Sequence, residues 1–106
     1  MFDALEVSLK VLTQLAPVET RIRRKSASLG RQLADASESI ALNLGEGRAR
    51  RDGDQRRHYE MAAGSAGEVT TALRIALAKG YITADEAAEV DAVLDRVRAM
   101  LYQLTH

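Results

Sequence analysis

Hydrophobic residues recur every three or four positions in four stretches of this chain, separated by short polar breaks, and nowhere alternate singly as in a half-buried strand. The first stretch, from about Asp3 to Arg24, carries two apolar stripes: Leu5, Leu9, Leu12 and Ala16, and beside them Ala4, Val11, Leu15, Val18 and Ile22. A helix with one buried face needs only one stripe, so two suggest that this helix packs inside its own bundle and also against another subunit. Pro17 offers no N–H to the carbonyl of Thr13, which predicts a kink or a short break. The second stretch starts at Ser26 or Ser28, either of which can cap a helix, and its seam is Leu29, Leu33, Ala36, Ile40, Asn43 and Gly47. The third begins at Asp52, where Asp52 and Gln55 have capping-box spacing. It continues through Tyr59, Ala62, Ala66, Val69, Leu73 and Ala76 and ends at Gly80. The fourth opens on Thr83 to Glu86, a second capping box, and runs through Ala87, Val90, Leu94, Val97, Leu101 and Leu104. Near-heptad spacing and short turns predict an all-α fold: one domain, residues 1–106, built as an antiparallel up-down-up-down four-helix bundle.

Folding the second helix back on the third around residues 48–52 places Asn43 opposite Tyr59, Ile40 opposite Ala62, Ala36 opposite Ala66, and Gln32 near Glu68. Asn43 is the one polar residue in its seam. Left without partners it would cost roughly 1–3 kcal/mol, so it is expected to hydrogen-bond across the helix 2–3 interface and to fix the register. The third helix is small in its middle, with Gly64 and Gly67. Each glycine costs about 1 kcal/mol relative to alanine, which close approach of a neighbouring helix could offset.

Composition narrows the chemistry. There are no cysteines, hence neither disulfides nor thiolate metal sites. No apolar run approaches the roughly 18 residues of a membrane span, and the N-terminus lacks the positive head of a signal peptide. A cytoplasmic protein is expected. No phosphate-cradling glycine loop and no Glu-x-x-His pair is present, so neither a cofactor nor a di-iron site is expected.

The net charge is zero but unevenly spread. Residues 21–57 hold ten Lys/Arg against five acids, a net of +5. Arg48, Arg50, Arg51, Arg56 and Arg57 crowd the turn between the second and third helices, while Arg21, Arg23, Arg24 and Lys25 fall at the opposite end of an antiparallel bundle. Asymmetry of this kind can mark a face for nucleic acid or an acidic partner, although on composition alone a solvated helix face with a basic loop is the plainer reading.

Two motifs carry a resemblance to a known family. Leu29, Gln32, Ala36, Ser39, Ile40, Asn43, Leu44, Glu46, Gly47 and Arg50 make up the first. Tyr59, Ala62, Gly64, Ser65 and Glu68, with the later Gly80, Tyr81 and Ile82, make up the second. Together they resemble the 23S rRNA-intervening-sequence proteins, over about residues 29–82. The resemblance implies an up-down bundle that assembles into a homopentameric ring. It extends to accessory proteins of diversity-generating retroelements, which bind nucleic acid together with a reverse transcriptase. Gly45 stands where that pattern usually has alanine, and the neutral charge differs from the basic surface of the retroelement branch.

Three function classes follow. In the first, the chain is a non-catalytic, oligomeric RNA-binding module. Arg48, Arg50, Arg51, Arg56 and Arg57 contact phosphates, and Asn43, Glu46, Ser65 and Glu68 are structural. Scarce aromatics argue against a base-stacking platform, so binding would run through phosphates and shape. In the second, the oligomer is a scaffold for a protein partner and the arginines serve solubility. In the third it is an enzyme: Arg51 and His58 resemble the arginine–histidine element of HEPN-type all-helical ribonucleases. There, however, the pair lies on one helix, and here it straddles a turn. No catalysis is expected, and His58 reads as a surface residue.

Overall fold

A computed structural model describes residues 3–106 and contains four helices: α1 (Ala4–Lys25), α2 (Ala27–Arg48), α3 (Asp52–Ala78) and α4 (Ala84–Thr105). Helices consecutive in sequence pack against one another, and α1 packs against α4, closing an up-down-up-down bundle of 42 × 24 × 20 Å. The core is aliphatic. Val7, Val11, Leu15 and Ile22 of α1 meet Leu33, Ile40 and Leu44 of α2, with Val69 of α3 and Val90, Leu94, Val97 and Leu101 of α4.

The helix ends follow local chemistry. Asp3 caps α1, its Oδ1 accepting from the Glu6 N–H at 3.0 Å. Ser26 alone joins α1 to α2: its N–H donates to the Ile22 carbonyl, and its Oγ accepts from the Leu29 N–H. Of the two candidate caps, Ser26 is therefore the one used. A joint of one residue forces the helices together, and Gly30 makes room. A Cβ there would lie 2.8 Å from Arg23 Cβ and 2.9 Å from Arg23 Cα. At the other end of α3, Gly80 adopts φ +73°. Its N–H donates to Leu77, and that of Tyr81 to Ala76, a Schellman closure. Thr83 and Glu86 form the expected capping box of α4.

Several expectations need correction. α1 runs through Pro17 without a break; Pro17 and Thr13 are both exposed, so water can take the freed carbonyl. Asp52 does not cap α3. It is the first helical residue, in the left-handed region at φ +56°, and the cap position belongs to Arg51, whose side chain makes no capping hydrogen bond. Gln55 instead reaches back, its Nε2 donating to the carbonyls of Gly47 (3.0 Å) and Arg50 (3.1 Å). It thereby adds a donor to one carbonyl in the last turn of α2 and to one in the turn that follows. On α4, Thr105 is buried and Leu104 is exposed, because the inward face follows the 3.6-residue period past Leu101.

The stripe of Leu5, Leu9, Leu12 and Ala16 on α1 is only partly covered by its own chain: Leu9 and Ala16 are exposed, Leu5 and Leu12 half-buried. Gly64 and Gly67 show no close approach either, since nothing lies within 4 Å of a Cβ built at either position. No neighbouring helix in the chain offsets their cost. Alanine at both positions is therefore expected to stabilise the isolated subunit by up to about 1 kcal/mol each, read as a rise in melting temperature. A fall would mean that another molecule occupies that face.

Candidate nucleic-acid interface

The turn at residues 49–51 brings the five arginines to one end of the bundle, all exposed, but they are differently engaged. Arg48 pairs with Asp3 of α1 at 3.3 Å. Arg50 lies between Glu46 and Asp54, at 3.2 Å from each. Arg56 turns toward α4, its Nη2 donating to the Thr105 carbonyl at 2.6 Å, with Glu60 at 3.8 Å. Arg57 donates to Asp54 at 2.8 Å and lies 3.7 Å from Met61 Sδ. Among the described residues, Arg51 is the one member of the five whose side chain has no ion pair or hydrogen bond. The hydrogen bond from Arg57, aided by the charges of Arg57 and Arg50, holds the Asp54 carboxyl below its ordinary range.

These pairs are solvent-exposed, and most join residues three or four apart. Pairs of that kind contribute about 0.3–0.5 kcal/mol each. They can be exchanged for phosphate contacts at little cost, so the turn is a surface of five cations partly screened by Asp3, Glu46, Asp54 and Glu60. The second basic run is at the far end, where Arg23 pairs with Glu19 and Arg21 with Glu86. The two patches do not merge within one subunit.

Behind the turn is a polar seam between α2 and α3 that sequence reasoning only half anticipated. Asn43 does bond across the interface, and its partner is His58, the neighbour of the Tyr59 that the expected register places opposite it. Its Oδ1 lies 3.0 Å from His58 Nδ1, and its Nδ2 donates to the Ser39 carbonyl (3.0 Å) and to Ser39 Oγ (3.1 Å). Ser65 Oγ donates to Ser39 Oγ at 2.8 Å, extending the seam. Tyr59 packs against Gly47 instead: a Cβ on Gly47 would lie 2.5 Å from its ring. His58 is accordingly half-buried, not a free surface residue. The signal that could have found it was its position seven residues, two helical turns, before Ser65, on the same flank of α3.

Gln32 and Glu68 line one groove on this side of the bundle, with Gly64, Gly67 and Ile75, as the expected register requires. At the arginine end an apolar hollow of about 310 Å³ is lined by Ala4, Leu5, Leu44, Tyr59, Met100 and Leu104, with Arg48 and Asp3 at its rim. Tyr102, 59% exposed, stacks on His106 at 4.0 Å. Among the described residues, no group of three or more His, Cys, Asp and Glu could hold a metal ion, and no helix is long and apolar enough to cross a membrane.

Comparison with known proteins agrees with this architecture. A crystal structure of a protein of unknown function from the S23 ribosomal protein family of Bacteroides thetaiotaomicron VPI-5482 superposes with a TM-score of 0.89. The likeness covers 96% of this chain and 97% of that one, at 16% sequence identity, and therefore concerns the fold. No curated protein sequence matches this chain. The family described as 23S rRNA-intervening sequence protein matches residues 3–103, nearly the whole chain, and the protein belongs to that family.

Proposed function

We propose that the protein is a cytoplasmic, non-catalytic, oligomeric module that binds RNA through the arginine turn, as part of a ribonucleoprotein. The observation that carries this reading is the gathering of Arg48, Arg50, Arg51, Arg56 and Arg57 at one end of the bundle, with Arg51 unpaired and the others in exposed, exchangeable pairs. A polyanion entering there replaces weak internal pairs with phosphate contacts and releases its own counterions. Self-association strengthens the case. The partly covered stripe of Leu5, Leu9, Leu12 and Ala16 supplies an apolar face for a second copy, and a ring of five, by resemblance to the family, would repeat each turn around a rim. Repetition raises the effective affinity without any new contact. The kinship with retroelement accessory proteins belongs to the same reading.

A scaffold for a protein partner is the second reading. It is favoured by Leu42, which is 69% exposed on α2, and by the acids that already screen most of the arginines. Charge reversal separates the two. Under the first reading, Arg51→Glu with Arg57→Glu reduces affinity for structured RNA at low salt by about tenfold or more and leaves the assembly mass unchanged. If the wild type binds RNA and the double variant binds equally well, the arginine turn is not the interface.

A further inference from the structure

The polar seam settles which ring nitrogen of His58 is free to act. The Ser39 carbonyl can only accept, so the Asn43 amide nitrogen faces it and Asn43 Oδ1 faces His58. His58 Nδ1 must then carry a hydrogen and donate, whatever the charge of the ring. That leaves Nε2, which lies 3.3 Å from Arg57 Nη2. A guanidinium has only donors, so in this arrangement Nε2 accepts from Arg57. The same Nη2 donates to Asp54 Oδ1. Add a proton at Nε2 and two donors face one another. Asp54, the nearby acceptor, is already held by Arg57 and Arg50, whereas a tetrahedral anion set beside the two donors can accept from both.

We infer that His58 and Arg57 form a phosphate-binding site in which anion and proton are taken up together, with Asn43 as the positioning residue that aims the imidazole. This rests on the RNA-binding reading, for which it names the phosphate contact beside the turn and its regulation by pH. Access exists, since Arg57 is 60% exposed and His58 half-buried. The charged groups around the ring are Arg57 and Asp54 on α3, Arg50 in the turn, and Glu46 on α2, which Arg50 holds; the facing Asn43 and Ser39 are neutral. Coupling is reciprocal: the anion favours the protonated ring, and the proton favours the anion.

Sulfate is the probe, because it is a tetrahedral dianion whose charge does not change between about pH 6 and pH 8, the window in which imidazoles switch. The wild-type protein would be titrated with sulfate at both pH values while the His58 ring resonances are followed by NMR. Binding at His58 is expected to be about fivefold tighter at the lower pH, the scale of one charge-assisted hydrogen bond at an accessible site. His58→Gln, checked for helicity and mass, is expected to lose that pH dependence in RNA titrations. Equal sulfate response at the two pH values, or a response confined to other residues, overturns the site. If sulfate binds as expected but RNA does not, the anion site stands and the RNA reading falls.

Discussion

Alanine at position 30 is expected to lower the melting temperature by roughly 5–15 °C, the equivalent of about 1–3 kcal/mol in a domain of this size. The new methyl group meets the Cα and Cβ of Arg23, not the tip of a flexible side chain, so α1 or α2 must move. The single-residue joint at Ser26 gives neither helix much freedom to do so. Gly45→Ala on the same helix is the control. Nothing lies within 4 Å of a Cβ there, and helix propensity favours alanine by about 1 kcal/mol. Equal melting temperatures for the two variants would mean that the α1–α2 approach is looser than described.

Asn43→Leu is the second large effect. The leucine would leave the His58 Nδ1–H without its partner in a mostly buried seam and take from Ser39 Oγ one of its two donors, Ser65 remaining. Losing one side of such a network costs about 1–3 kcal/mol, whereas replacing both sides with apolar groups is nearly neutral. The register that Asn43 and His58 fix between α2 and α3 would loosen as well, so the assembly mass is expected to change with stability. Thermal melts of Asn43→Leu, His58→Leu and the double variant test this as a cycle. The double variant is expected to be little worse than the worse single one. Strict additivity, or an Asn43→Leu protein with unchanged melting temperature and mass, would deny the seam its structural role.

What the sequence made legible was whatever local periodicity and capping decide. Ser26, Thr83, Glu86 and Gly80 act where their residue types predict, and the seams of α2 and α3 face inward as spaced. What it hid depends on three-dimensional distances. Gly30 looks like an ordinary small residue until the separation of α1 from α2 is known. His58 was misplaced because counting residues outward from the turn assumed a regular start to α3. With Asp52 left-handed and Gln55 turned back on α2, Asn43 meets His58 and Tyr59 meets Gly47. Likewise, the pairing of arginines with Asp3, Glu60 and the Thr105 carbonyl joins elements that are distant in sequence or turns on side-chain direction. Charge counting alone therefore made the turn look barer than it is.

Binding of RNA phosphates by the arginine turn is tested by a fluorescence-anisotropy titration of the wild-type protein with structured RNA and with duplex DNA, from low to near-physiological salt, with the assembly mass measured alongside. Phosphate contact at the turn requires a binding constant whose logarithm falls linearly with the logarithm of salt. For duplex DNA the expected slope is about −0.9 per phosphate engaged, and for RNA it should be comparably steep. An intact oligomer that binds neither nucleic acid even at low salt would contradict it, and the partner to seek would then be a protein.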